Sequence, residues 1–426
     1  MARAMADSEV WSIGSIDPMT EEMNPTRALQ SRRLQACFYF TGVASLLGWQ
    51  IILSFTHSFD CTLFLGKRFA GAGWAFWCSM AYSLAVNITQ LVLTSRRVLS
   101  RIPFAVRWNV AAICVALSLI GLLLCHIYTT PDTLEMGFAM AVACVSLTGA
   151  ASGIWQACAF GLAGCLSPWF AQALMFGQGL GGVFSSIIGA AFSTSRSGLI
   201  FSFTFAAVFE LLGIPIFYQM IRNPIVQEAG ALKPCAPAES QVTPSSSPVL
   251  TRARSSREIL VQNAWPQALT VMAVFTVSFT VFPGVTSRLS PGARVPVLIS
   301  LFQIMDPVGR FAPKWSVLRI SEGYVVSFLA GLRILFIPLF IAMQRESLQS
   351  WAQSDVLQFA VMVAFAFSNG YVSTLSMMLG PEQRGVSADE REPVGTMMSL
   401  SLVFGIWLGS VLGLMTQVGV QDVNTC

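Results

Sequence analysis

Apolar runs of about twenty residues alternate along this chain with short breaks that collect its charges, prolines and glycines. Runs of that length suit helices that cross the hydrocarbon of a bilayer, whereas buried strands end sooner. The pattern predicts eleven such helices, at 34–56, 70–94, 103–126, 134–157, 168–193, 198–221, 264–284, 295–313, 323–343, 355–379 and 394–417. No charged residue interrupts the stretch from Met136 to Ser195, which is too long for one crossing. It divides at Cys165 to Pro168, where proline disfavours continued helix.

The breaks give the organisation. Residues 1–33 are polar and read as a cytoplasmic N-terminal tail, 34–221 as a six-helix bundle, and 264–417 as a five-helix bundle. Between the bundles, 222–263 is rich in Pro, Ser and Ala and is expected to be a disordered cytoplasmic loop; 418–426 forms a short outer tail. Lys and Arg stay preferentially on the cytoplasmic side. Placing the N-terminus there puts most of the 25 Lys and Arg in cytoplasmic segments, and an odd number of crossings leaves Cys426 outside. The fold class is therefore all-α, a polytopic membrane protein with eleven helices in a 6+5, major-facilitator-like arrangement.

Composition agrees, with 54% hydrophobic and 11% charged residues and a mean hydropathy of +0.65. The net charge of +4 follows from topology and forms no basic stripe, so it carries no nucleic-acid meaning. The 10 Cys lie mostly singly within the spans, without metal-ligand spacing. Cys61 and Cys426, both expected outside, are a candidate disulfide pair. Ser255 and Ser256 beside Arg252 and Arg254 read first as an ordinary Ser/Arg tract. The sequon at Asn87 falls inside a span and is discarded. Gly149 with Gly153, and Gly405, Gly409 and Gly413, are spaced for close helix approach.

The informative residues are polar ones inside apolar spans, because such groups are costly in lipid and are kept where a polar space or a partner receives them. Asp306 and Arg310, in DPVGR, are four residues apart on one helical face and offset each other's desolvation. Pro307 between them frees a backbone carbonyl. The rest of the set is Gln50 beside Trp49, Gln156, Gln178, Glu210, Gln303, Arg333 and Asn369. Amides and a carboxylate facing an arginine supply donors and acceptors without a nucleophile, metal cluster or phosphate cradle. That set suits reversible recognition of a neutral polar solute, so carriage is expected, no catalysis, no cofactor and no metal.

GIWQACAFGLAG (Gly153 to Gly164) followed by PWFAQALMFGQGLGG (Pro168 to Gly182) resembles the fourth and fifth helices of the equilibrative nucleoside transporter family, in a protozoan-type form. The likeness continues through SLLGWQ (Ser45 to Gln50), FPGVT (Phe282 to Thr286), DPVGR, RILFIPLF (Arg333 to Phe340) and FAFSNGYVSTL (Phe365 to Leu375). It implies a central site in which Trp49 packs on the ligand, Gln156 hydrogen-bonds the base, and Asp306 with Arg310 engages the ribose hydroxyls, with Gln303 and Gln50 beside them. Gln178, Gly179, Arg333 and Asn369 are assigned to helix packing or gating. The first helix departs from the family's Pro-Trp-Asn, since Gly48 and Gln50 flank Trp49.

The expected function is facilitative transport of nucleosides, with nucleobases as further candidates, by alternating access in a monomer at the plasma membrane. Glu210, alone in the middle of the sixth span, keeps a proton-coupled symporter open as an alternative. A membrane receptor or channel is the alternative outside transporters.

Overall fold

A computed structural model describes residues 25–67, 69, 73–95, 101–192, 195–230, 256–282, 294–344 and 354–415, and these are almost wholly helical. In hydrocarbon every backbone N–H and C=O needs a partner within the protein, and a helix supplies it locally. The first half holds α1 (Pro25–Ser54), α2 (Trp74–Leu93), α3 (Phe104–Tyr128), α4 (Leu134–Gly164), α5 (Pro168–Phe192) and α6 (Arg196–Ile221). The second holds α7 (Trp265–Val281), α8 (Arg294–Phe311), α9 (Gly323–Met343), α10 (Asp355–Leu379) and α11 (Arg391–Met415). Among the described residues, 10 helices are long and apolar enough to cross a membrane. The eleventh, α8, carries Arg294, Asp306 and Arg310, and those charges lower its apolarity although it is packed against α5 and α10.

Several boundaries move. α1 starts at Pro25, ahead of the expected 34, because Ala28, Leu29, Gln30, Arg32 and Arg33 favour helix and no glycine or proline interrupts them. The long uncharged stretch turns between Gly164 and Pro168, proline beginning the new helix at a position where its missing N–H costs nothing. α9 tightens into a 3-10 turn at Arg333–Leu335. Within the central segment expected to be disordered, Pro224–Glu228 is helical, with Asn223 capping it through the Ile225 N–H at 3.0 Å. Ser256–Ile259 is helical as well. Ser255, the motif FPGVT beyond Phe282, and Cys426 lie outside the described residues. Cys61 is disulfide-bonded.

Small residues set how closely the helices approach. α1 meets α5 where Gly42 and Gly177 face each other's backbones, α2 meets α4 at Gly149 and Gly153, and α7 meets α11 at Gly405 and Gly409. α8 meets α10 most tightly of all: a Cβ on Gly309 would strike the Phe367 carbonyl, and one on Gly370 the Asp306 carbonyl. Large apolar side chains such as Leu84, Ile88 and Leu91 on α2 remain exposed, as a surface facing lipid requires.

The two halves join at the end that carries the start of α1. There Arg107 on α3 pairs with Glu392 on α11 at 3.5 Å, both largely buried. Lys314 Nζ donates to the Tyr39 hydroxyl at 3.1 Å. The Arg319 guanidinium lies 4.5 Å from the centre of the Trp169 ring, and the Thr396 hydroxyl donates to the Ala157 carbonyl at 3.3 Å. Gly161 and Gly164 on α4 let α11 approach at the same level.

The α8–α10 approach yields a test. Gly370→Leu is expected to cost at least about 1–3 kcal/mol, since the backbone it would strike cannot yield. Gly331→Ala, where a Cβ would meet nothing within 4 Å, should be neutral. Size-exclusion profiles and thermal unfolding of the detergent-purified variants read the difference.

Candidate functional site

The charged pair on α8 is formed by one helical turn. Arg310 Nε donates to Asp306 Oδ2 at 2.7 Å, and each side chain is only 8% exposed. A carboxylate so enclosed needs donors at both oxygens. The second oxygen, Oδ1, accepts from Asn369 Nδ2 on α10 at 2.7 Å. Asn369 Oδ1 in turn accepts from the Ser278 hydroxyl on α7 at 2.6 Å, and Ser278 accepts from Arg333 Nη2 on α9 at 2.7 Å. Arg333 Nη1 donates to the Phe365 carbonyl at 2.9 Å and also to the Ser368 hydroxyl, while its guanidinium lies 5.0 Å from the Phe365 ring centre. One continuous polar chain thus ties α7, α8, α9 and α10.

Arg310 also reaches across to the first half. Its Nη1 donates to the Met175 carbonyl on α5 at 3.0 Å, and Gln172 Nε2 donates back to the Arg310 carbonyl at 3.0 Å. Arg310 Nη2 makes no hydrogen bond to the described protein. It is the one donor of the fork left for a solute. Gly179 on α5 makes this approach possible, because a Cβ there would stand 3.0 Å from Pro307 Cγ and 3.1 Å from Arg310 Cδ. Gln303, one turn earlier on α8, lies half-buried against Gly182.

The first half holds a second cluster. Trp49 on α1 is stacked on Tyr82 of α2, with ring centres 3.8 Å apart and planes at 9°. The Tyr82 hydroxyl is buried beside Ser152 and Gln156 of α4 and makes no well-aligned hydrogen bond to either. Gln156 itself is 1% exposed. An aromatic stack beside an amide and an idle phenol offers both a flat apolar surface and hydrogen-bond partners for a heterocycle. Gln50 is half-buried one position further along α1. Gln178 turns the other way, its Nε2 donating to the Ser45 hydroxyl on α1 at 3.4 Å and so linking α5 to α1. Glu210 on α6 accepts from the Gly48 N–H at 3.2 Å through Oε1, while Oε2 is buried without a partner.

Six of the residues singled out from the sequence fall into two groups: Asp306, Arg310, Asn369 and Arg333 in one network, and Trp49 with Gln156 around Tyr82 in another; Gln178, Glu210, Gln303 and Gln50 lie outside both. Among the described residues no hydrogen bond joins the groups directly; α5, through Met175 and Gln172, stands against the first of them. Tyr82, Ser278 and Gln172 were missed by a search for charges and amides inside apolar spans. Tyr82 was open to discovery as the polar-tipped aromatic of a helix that also carries Asn87 and Gln90. Among the described residues no three of His, Cys, Asp or Glu come together as metal ligands would.

The model of the family described as "Nucleoside transporter" matches residues 140–418, which include Gln156, Asp306, Arg310, Arg333 and Asn369. Equilibrative nucleoside transporter 1 of Rattus norvegicus is 30% identical over 305 residues, covering 63% of this chain and 66% of the relative. The match thus spans just under two thirds of that relative's length. Nucleoside transporter 1.2 of Leishmania donovani is 23% identical over 422 residues, covering 80% of this chain and 84% of that one. Among solved structures, a bacterial homologue of the iron transporter ferroportin in an outward-facing state superposes with a TM-score of 0.62 at 15% identity, covering 91% of this chain and 92% of that one. FucP, a major facilitator superfamily transporter in its outward conformation, gives 0.56 at 13% identity, with coverage of 91% and 92%. The latter two share this chain's fold, so its two bundles are arranged in a major-facilitator-like way. With its family model matched across the greater part of its length and into both bundles, this chain belongs to the nucleoside transporter family.

Proposed function

We propose that this protein is a facilitative carrier of nucleosides, with free nucleobases as further substrates, working as a monomer in the plasma membrane with a cytoplasmic N-terminus and an extracellular C-terminus. The observation that carries the reading is the Asp306–Arg310 pair, buried in the bundle with one Arg310 nitrogen left for a ligand. The family's name supplies the solute. A nucleoside offers hydroxyls and a planar base, and the chain offers a donor fork beside a carboxylate in one half and the Trp49–Tyr82 stack with Gln156 in the other. Gln303 and Gln50 complete the polar lining, while Gln178, Gly179, Arg333 and Asn369 hold helices together.

Alternating access needs two halves that rock around a fixed site. Contacts described between the halves gather at the end bearing the start of α1, the cytoplasmic end in this orientation. That pattern supports an outward-facing state, with the Arg107–Glu392 pair as part of the closed inner side. The domain limits proposed are 34–221 and 264–417 for the bundles, with 1–33, 222–263 and 418–426 as tails and loop. Helix α1 projects beyond its bundle as far as Pro25.

Counterflow of labelled adenosine into proteoliposomes preloaded with unlabelled nucleoside is the direct test. Transient accumulation above equilibrium is expected; conductance without saturation or counterflow would make the protein a channel. Trp49→Ala should raise the KM for adenosine about tenfold, because a base stacked on an aromatic ring is worth about 1–3 kcal/mol.

Removing Asp306 or Arg310 alone leaves a buried charge uncompensated, at about 3–5 kcal/mol. Asp306→Ala and Arg310→Ala are therefore each expected to lower folded yield, and the Asp306→Ala/Arg310→Ala double variant to recover much of it while still failing to transport. Uptake recovering together with yield would reduce the pair to a structural lock.

A proton-coupled version of the same carrier is favoured by one feature, the buried Glu210 oxygen that has no partner and sits against the α1 segment bearing Trp49. Under the facilitative reading, an inward-acid gradient leaves initial uptake unchanged in both wild type and Glu210→Gln. Acceleration by the gradient in wild type, absent from the variant, would replace that reading with symport.

A further inference from the structure

The beginning of α1 and the end of α6 enclose a pocket of about 570 Å³ that plays no part in the proposed transport site. Its walls are two matching helical stripes. Gln30, Arg33, Leu34 and Cys37 on α1 recur at i, i+3, i+4 and i+7, and Pro215, Tyr218, Gln219 and Arg222 repeat that spacing along α6 and its end. Asn223 ties the walls together, its Nδ2 donating to the Gln30 carbonyl at 3.0 Å.

Each stripe contributes one arginine and one glutamine. Neither Arg33 nor Arg222 has an ion-pair or hydrogen-bond partner among the described residues, and no Asp or Glu lines the pocket. The contrast lies on the same helix, where Arg27 is paired with Glu228 at 3.2 Å. Two unpaired guanidinium groups bordering one space repel each other, and an anion between them removes that repulsion. Two donor forks, two amides and a phenol suit the several oxygens of a phosphate ester better than the two of a carboxylate.

The position selects the source of the phosphate. The pocket lies at the ends of membrane-crossing helices, and the adjoining turns of α6 present Leu211 and Leu212 outward. In the orientation proposed above this is the cytoplasmic leaflet, where anionic lipids concentrate and where basic pockets between helices receive headgroups. We infer that the pocket binds the phosphate-bearing headgroup of an anionic phospholipid, Arg33 and Arg222 clasping it from opposite walls while the acyl chains lie along the exposed face of α6. The inference goes beyond the transport reading and shares with it only the orientation.

Native mass spectrometry of the full chain, released from phosphatidylcholine nanodiscs doped with a phosphatidylinositol monophosphate, reads the anionic lipid retained. Wild type should hold it in preference to phosphatidylcholine. Arg33→Gln and Arg222→Gln should each weaken retention about fivefold, and the double variant about twenty- to thirtyfold, while Arg32→Gln on the neighbouring face leaves it unchanged. Elution and unfolding in phosphatidylcholine alone confirm that the variants fold. The measurement on wild type stands without them: equal retention of both lipids overturns the proposal. Undiminished retention in the double variant also overturns it, as does inorganic phosphate stabilising the protein as strongly as the lipid, which would make the pocket a site for a soluble anion. Uptake is not a readout, so failure here leaves the carrier reading untouched.

Discussion

A carboxylate held among membrane helices has to find its donors inside the protein, and the second half of this chain is arranged around how Asp306 does so. One oxygen is satisfied by Arg310 on its own helix and the other by Asn369 on α10. From Asn369 the requirement passes to Ser278 and then to Arg333, so that four helices are positioned by one charge. Such a chain is worth having only when complete, because a half-satisfied polar network in a low dielectric costs more than an apolar one. Pro307 and Gly370 serve the same end. The proline frees a backbone position within α8, and the glycine lets α10 come close enough for the Asn369 amide to reach the carboxylate.

The first half is organised differently. Its core is aromatic and aliphatic, and several of the polar atoms it buries are idle: the Tyr82 hydroxyl, the Trp155 indole N–H and one oxygen of Glu210 have no partners. A continuous polar network in one half facing a cluster with unspent hydrogen-bonding capacity in the other would suit the carrier proposed above. The networked side is held by its own bonds, and the other side can exchange partners as a solute enters or leaves.

Much of this architecture was legible in the chain itself. The apolar runs marked the helices, Pro168 marked the turn between α4 and α5, and the four-residue spacing of DPVGR gave the ion pair, because each is a local property of the backbone or of one helix. What stayed hidden depends on which helix faces which. Nothing within α10 says that Asn369 completes the coordination of Asp306, and nothing within α1 says that Trp49 is covered by Tyr82 or that Gln178 turns toward Ser45. The start of α1 was set too late for another reason. Charged residues of high helix propensity read as a tail when apolarity is the criterion, yet they continue the helix beyond the hydrocarbon.

Three of the bonds that cross between the halves share a trait with a consequence for how the molecule tolerates change. Arg310 ends on the Met175 carbonyl, Gln172 on the Arg310 carbonyl, and Thr396 on the Ala157 carbonyl, so each of these three acceptors is main chain. Each such carbonyl sits in or at the end of a helix and spends only its spare lone pair on the visitor. Substituting the accepting residue leaves the acceptor in place, so mutational drift on that side does not erase these links. Separation of the halves leaves no helical hydrogen bond broken behind it, which makes the links cheap to part and quick to restore.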